Sequence, residues 1–407
     1  MAKAPAHKWT FRTRFRRHAF GWKSQAANKR IKEAVSEIKK QARQDPLLAA
    51  EGAVVFLEKL SPAIEQVDSS SGAIGTAVNH AITALVEIIA AAPADQATRA
   101  NWLERMWEAY QDDEIPYLES LGDHWGELCA SPDVASDWAD QLIGTCKMAW
   151  SPDPELRGYF KGSTNCLSAL FAAGRHEELL ELVDMAPYKM WHYRQYGVKS
   201  LAAMGRKAEA IRYAEEGRGL NDSPVAIARA CEAVLLSSGL VDEAYDRYAL
   251  LANQARTYLA WFRAVAKKYP HKPKAEVLAD LVAHTPGDEG KWFAAAKSAK
   301  LFAEAIELAN RTPCSPKTLT RAARDFEEKH PTFALEAGMA ALLWLVLGYG
   351  YEVTGADVHA AFSHTVRAAE HAGLADQTRA RIRALVSRET SGEHFVTRIL
   401  ARQLELD

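Results

Sequence analysis

The run Gly174-Arg175-His176-Glu177-Glu178-Leu179 decides how this chain is read. A glycine follows a stretch of small and apolar residues, a short turn comes next, and acids open a second apolar-periodic stretch. The same order returns in Gly205-Arg206-Lys207-Ala208-Glu209-Ala210 and Gly239-Leu240-Val241-Asp242-Glu243-Ala244. It returns more loosely in Lys300-Leu301-Phe302-Ala303-Glu304-Ala305. The first two intervals are 31 and 34 residues, and the third, 61, leaves room for one degenerate unit. A period in the low thirties, with helix before and after each turn, predicts helical hairpins stacked in an array.

Each turn carries the same local chemistry. Glycine suits the left-handed residue that closes a helix. Acids after it complement the dipole of the next helix. Leu170, Leu201, Leu235 and Ala296 stand four residues before the turn, and Ala172, Ala203, Ser237 and Ser298 two before it. The apolar members fill the seam between helices and the small ones allow close approach. One such hairpin buries little by itself, so its stability must come from its neighbours.

This glycine-turn-acid-alanine pattern resembles tetratricopeptide-like arrays over roughly residues 162–313. The aromatic positions of that family are irregular here. The runs Pro286-Gly287-Asp288-Glu289-Gly290-Lys291-Trp292-Phe293-Ala294-Ala295-Ala296-Lys297 and Leu319-Thr320-Arg321-Ala322-Ala323-Arg324-Asp325-Phe326 are similar to a poorly characterised class of large bacterial helical-repeat proteins. The resemblance implies an all-α fold, a right-handed α-solenoid of stacked helical hairpins, and supplies no catalytic residues.

Outside the repeats, strand signals are nearly absent and Ala, Leu, Glu and Arg dominate, which favours helix. Helices are predicted over 28–43, 46–60, 73–92, 96–111 and 116–130, with Ser131 capping another that starts at Pro132. Ser151-Pro152-Asp153-Pro154 interrupts any helix and marks a boundary. Longer helices follow over 315–330, 331–347, 356–371, 375–387 and 394–406. Four segments result: a basic N-terminal arm and helix (1–45), an N-terminal helical region (46–150), tetratricopeptide-like repeats (151–313) and a C-terminal helical cap (314–407).

The chain has 407 residues, 48% hydrophobic and 25% charged, enough for a large core. Its net charge is only −2, yet residues 1–45 hold 13 Lys/Arg against 3 acids, and residues 104–140 hold 11 acids against one Arg. These opposed blocks could meet within the fold, bind partners, or promote self-association. Cys129, Cys146, Cys166, Cys231 and Cys314 show no redox or metal spacing, so reduced thiols in a cytoplasmic protein are expected. The N-terminus lacks a secretory core. The apolar run 337–349 is too short to span a bilayer, so no membrane role is expected.

Two surfaces are candidates for binding. The first helices of stacked hairpins line a concave face. Polar and aromatic residues there include Asn165, His192, Arg194 and Lys199, followed by Arg229, Tyr258, Arg263 and Lys291. Their basic balance would suit a protein or peptide partner with acidic side chains or a free carboxylate. The N-terminal arm interleaves Trp9, Phe11, Phe15, Phe20 and Trp22 with cations. Arg12, Arg14, Arg16, Arg17, Trp22 and Lys23 could hold nucleic acid through phosphates and stacked bases. If the arm is helical, Phe11, Phe15 and Trp22 share a face. The simpler alternative is a helix packed by that face onto the first repeat, with its arginines solvated or paired with the acidic block.

Catalytic signals are weak. Asp123, His124 and Glu127, with Cys129 near, read better as a helix-surface ion pair than as a metal site. His359 and His364 are five apart, off a shared face, and read as structural. Gly348-Tyr349-Gly350-Tyr351 follows an apolar helix and is a helix stop, not a dinucleotide loop. No phosphate loop or nucleophile elbow occurs. The expectation is a binding protein without enzymatic activity, cofactor or metal.

Overall fold

The computed structural model describes residues 7–217, 223–390 and 394–405. The fold is all-α, and no strand occurs among the described residues. Residues 1–6 of the basic arm and Leu406 of the last predicted helix lie outside them. The chain divides into two compact units, Met1–Ser223 and Pro224–Asp407.

The first unit opens with α1 (Phe11–Arg14), α2 (Ser24–Ala42), α3 (Pro46–Ile64), α4 (Ala73–Ala91) and α5 (Gln96–Gln111). Asp45 and Asp95 cap α3 and α5 by accepting from Leu48 N at 3.0 Å and Thr98 N at 2.8 Å. Ala49, Ala50 and Ala53 let neighbours approach α3 closely, and Trp9 lies flat on it. A Cβ at Gly52 would sit 2.2 Å from the Trp9 ring, so only glycine fits there. Phe11 and Phe15 meet Phe56 edge-on at 5.3 and 4.9 Å. The arm therefore contributes to the core. Its helix ends at Arg14, so Trp22 does not share the face of Phe11 and Phe15; Trp22 is 72% exposed. Of the arm's arginines, Arg14 pairs with Glu33 at 2.9 Å, outside the acidic block, while Arg12, Arg16 and Arg17 are exposed to solvent.

Helix α4 is long and apolar enough to cross a membrane by length and composition. It is nevertheless amphipathic: Ile74, Val78, Ile82, Leu85 and Ile89 are buried, while Asn79, His80 and Glu87 are exposed. Arg99 holds its C-terminal end, donating to the carbonyls of Ile89 at 2.6 Å and Ala92 at 2.8 Å. Burial lowers the Arg99 pKa, and these carbonyls solvate the charge in place of water.

The predicted helix 116–130 is two short pieces, a 3₁₀ turn (Glu119–His124) and α6 (Trp125–Cys129). Gly122 and Gly126 weaken helix here. Both instead permit close packing, since a Cβ at Gly126 would lie 2.3 Å from the Ser168 carbonyl. Ala130, at φ 59°, ends the segment. Ser131 caps α7 (Pro132–Ala149). The prolines at 152 and 154 break the helix, but the same compact unit continues past them. It includes α8 (Ser163–Ala172), α9 (His176–Met185), α10 (Trp191–Ala203) and α11 (Lys207–Glu216).

In the second unit the pairs are α12 (Pro224–Leu236) with α13 (Val241–Ala244) and α14 (Leu250–Ala252), the latter two joined by a π turn (Tyr245–Ala249). Next come α15 (Tyr258–Lys268) and α16 (Lys274–His284), the unit expected in the long interval, turned by Pro270 and Pro273 without glycine. Then follow α17 (Phe293–Ser298) with α18 (Phe302–Arg311), α19 (Pro316–Phe326) with α20 (Pro331–Val346), α21 (Gly355–His371) with α22 (Ala375–Val386), and α23 (Phe395–Leu404).

All four quoted turns close identically. Gly174, Gly205, Gly239 and Lys300 have φ of 72°, 80°, 75° and 64°. The next amide reaches back to the carbonyl of Leu170, Leu201, Leu235 or Ala296 at 2.9–3.1 Å. This is the Schellman closure. Gly348 and Gly373 close their helices the same way, through Tyr349 N to Trp344 O and Leu374 N to Ala369 O. The glycine at 348 is thus a helix stop, as its sequence context indicates.

Candidate functional site

The broken segment after α5 positions one wall of a cleft in the first unit. Asp113 is buried, accepts from Leu118 N at 2.7 Å, and receives the Ser61 hydroxyl. Burial holds its carboxyl above the ordinary range, against the pull of these hydrogen bonds. So anchored, the 3₁₀ turn sets Glu119, Ser120 and Asp123 along one edge.

The opposite wall is the proline-interrupted loop. Asp153 N bonds Ser151 Oγ at 3.1 Å, and the Arg157 guanidinium donates to Ser151 O at 3.1 Å and Pro152 O at 3.0 Å. Gly158 N returns to Ala149 O at 3.0 Å. This closed loop leaves Tyr159 82% exposed. The starts of α8 and α10 contribute Ser163, Thr164, Met190, His192 and Tyr193. Together they enclose about 720 Å³, within the range of ligand-binding clefts.

The lining is aromatic. Tyr110 donates its hydroxyl to Lys161 O at 2.9 Å, and Tyr193 packs against Trp150 with ring centroids 4.9 Å apart. Phe160 and Tyr188 complete the lining, and Tyr188 is 70% exposed at the mouth. Burial raises the hydroxyl pKa of Tyr110, Tyr193 and Tyr159, and in each case the Glu119 carboxylate raises it further. The cleft's cations are committed: Lys161 Nζ donates to Asp113 O at 2.6 Å and Gln111 O at 3.3 Å, and Arg157 to its own loop. Asp123 accepts from Tyr196 OH at 3.0 Å. Glu119 makes no hydrogen bond or ion pair with the described residues and is exposed.

The eight residues expected on a basic groove fall into two sets of four, one per unit. In the first unit, His192 lines the cleft and its Nε2 lies 2.8 Å from Thr164 Oγ1. Lys199 is exposed, with its ammonium 4.8 Å from the Tyr196 ring centre. Its pKa is lowered by surrounding protein and raised in part by Asp123. Asn165 is wholly buried with both amide atoms unpartnered, and so faces no groove. Arg194 is buried too, stacked 3.9 Å over Tyr213 and donating to its carbonyl. In the second unit, Arg229 donates to Ala252 O at 2.7 Å and Arg263 to Ser298 Oγ at 3.2 Å. Tyr258 and Lys291 both bind Asp288. Of the expected cations Arg194 is buried and Lys291 is ion-paired, while Lys199, Arg229 and Arg263 stay exposed, the two arginines bonded to neutral oxygens.

The arm's cations are placed differently. The side chains of Arg12, Arg16, Arg17 and Lys23 are exposed, make no hydrogen bond or ion pair among the described residues, and flank exposed Trp22. On α2 and α4, Lys32, Lys39, Lys40, Arg43 and His80 border a shallow groove of about 490 Å³.

His124 pairs with Glu127 at 3.2 Å, whereas Cys129 is buried and Asp123 turns to Tyr196. His364 binds Glu327 at 2.9 Å and His359 lies near Gln403. No three His, Cys, Asp or Glu side chains converge as metal ligands among the described residues. The cleft residues Glu119, Tyr159, Tyr188 and Tyr193 escaped the sequence reading. Tyrosine density over 159–193, next to the acidic block, was the available signal. No protein-family model matches the chain, and no curated protein matches it.

Proposed function

We propose that this chain is a non-enzymatic interaction scaffold that holds a segment of a protein partner in the tyrosine-lined cleft of its first unit. The observation that carries the reading is the mouth of that cleft. Tyr159, Tyr188 and Met190 are held 82%, 70% and 50% exposed, around an open volume of about 720 Å³. Exposed large side chains grouped at a concavity favour burial by a partner. The five helix pairs closed by Schellman turns at Gly174, Gly205, Gly239, Lys300 and Gly373 support tetratricopeptide-like units of a right-handed α-solenoid. Five free, buried cysteines fit the cytoplasmic setting.

The test is a photocrosslinking capture in cells, with benzoylphenylalanine in place of Tyr188. A defined protein adduct that disappears when Tyr159→Ala is added supports the cleft. Adducts that are unchanged by Tyr159→Ala reject it.

A second reading is favoured by the exposed, unpaired cations of the arm. There the first unit would contact a nucleic acid through Arg12, Arg16, Arg17, Lys23 and the exposed Trp22. Single-stranded DNA binding that weakens steeply with salt, and is lost in Arg12→Glu/Arg16→Glu/Arg17→Glu, would support it. Binding insensitive to both would reject it.

A further inference from the structure

We infer that the cleft selects a cationic side chain, lysine or arginine, from the segment it holds. This rests on the cleft being the partner site, and it reverses the charge expected from the sequence.

Three observations converge. The first is the unequal commitment of charges around the cavity. Arg157 and Lys161, its two cationic linings, are each spent on two backbone carbonyls within hydrogen-bond distance. Among the described residues the Glu119 side chain has no hydrogen-bond or ion-pair partner, and Asp123 has one neutral donor, the Tyr196 hydroxyl. An anionic guest would face both carboxylates, and neither lining cation could turn to it without breaking those carbonyl bonds. A cationic guest meets available acceptors at no such cost.

The second is the lining itself. Tyr159, Tyr188, Tyr193 and Trp150 are rings whose electron-rich faces attract an ammonium or guanidinium group, whereas Tyr110 already carries the Lys161 ammonium 5.1 Å from its ring centre. Rings alone would accept any apolar group. Rings beside an unpaired carboxylate discriminate in favour of charge.

The third is the placement of Glu119. It lines the same cavity as Tyr110, Tyr159 and Tyr193, and its charge raises the pKa of all three hydroxyls. Lys199 lies near Asp123 over the Tyr196 ring and offsets part of that acid's charge, which leaves Glu119 as the principal counter-ion.

A random dodecapeptide library displayed on phage, selected on the full chain and counter-selected on Tyr159→Ala/Tyr188→Ala, tests this. The expected winners carry a central Lys or Arg. Synthetic copies should lose roughly tenfold in affinity when that residue becomes Gln, and similarly when the protein carries Glu119→Gln. Because Glu119 is exposed and unbonded, that variant should melt as the wild type does, which a thermal scan verifies. Winners that need the two tyrosines but lack cations would overturn the charge inference and leave the cleft standing. Winners indifferent to the tyrosines, or no winners, would overturn both.

Discussion

Lys300 does the work of a glycine with the wrong side chain. Its φ of 64° matches the glycines of the other three turns, and its amide bonds follow the same closure. A side chain with a Cβ costs about 1 kcal/mol in that region. Lys300→Gly should therefore raise stability by about 1 kcal/mol, measured by urea unfolding. Asp113 shows a different strain. Burial raises its folded pKa above the unfolded value, so the folded state takes up the proton more readily. Its ionised form thus disfavours folding above the folded pKa, and this penalty is relieved as pH falls through it. Asp113→Asn keeps an acceptor for Leu118 N and removes the charge. It should melt higher than the wild type at pH 7, with the difference shrinking toward pH 4.

At the scale of elements, small residues and saturated polar hubs decide which helices touch. Gly338 lets α20 approach α21 so closely that a Cβ would lie 2.1 Å from Thr365 Oγ1. Glu232 on α12 is fully buried and receives three donors: Tyr269 OH at 2.7 Å, Asn253 Nδ2 at 2.7 Å and Lys268 Nζ at 2.5 Å. It ties α12 to the ends of α14 and α15. Glu232→Ala would leave the buried Tyr269 hydroxyl without its acceptor and the others weakened, at a cost of about 3–4 kcal/mol. A calorimetric melt of the variant should show that loss, and Glu232→Gln a smaller one. Element identity was largely legible beforehand. The helix bounds 96–111 and the Ser131 cap agree with the structure, because capping and periodicity act within a few residues. The 116–130 helix was misread, because Gly122 and Gly126 serve contacts with α8 that local periodicity does not contain.

At the scale of the whole molecule, the N-terminal arm cannot be treated as an appendage. Trp9, Phe11, Phe15 and Phe20 are all at most 8% exposed. Deleting residues 1–23 would remove four large aromatics from the core of the first unit, at roughly 3 kcal/mol or more each, comparable to the whole stability of a domain. The truncated chain should lose the cooperative melt of that unit by circular dichroism. Charge-reversal variants, which leave the rings in place, are the proper probe of the arm's exposed face.

Sequence alone determined the helical class and the turn closures, since each depends on residues within about six positions of one another. It also separated the acidic block from the basic one. Only the tertiary structure decided where those charges act. It buried Asn165 and Arg194, tied Arg157 and Lys161 to backbone carbonyls, and left Glu119 free among tyrosines drawn from α5, the proline loop and α10. Side-chain charge is readable from the chain, but whether a charge is satisfied depends on neighbours dozens of residues away, and packing chooses those neighbours.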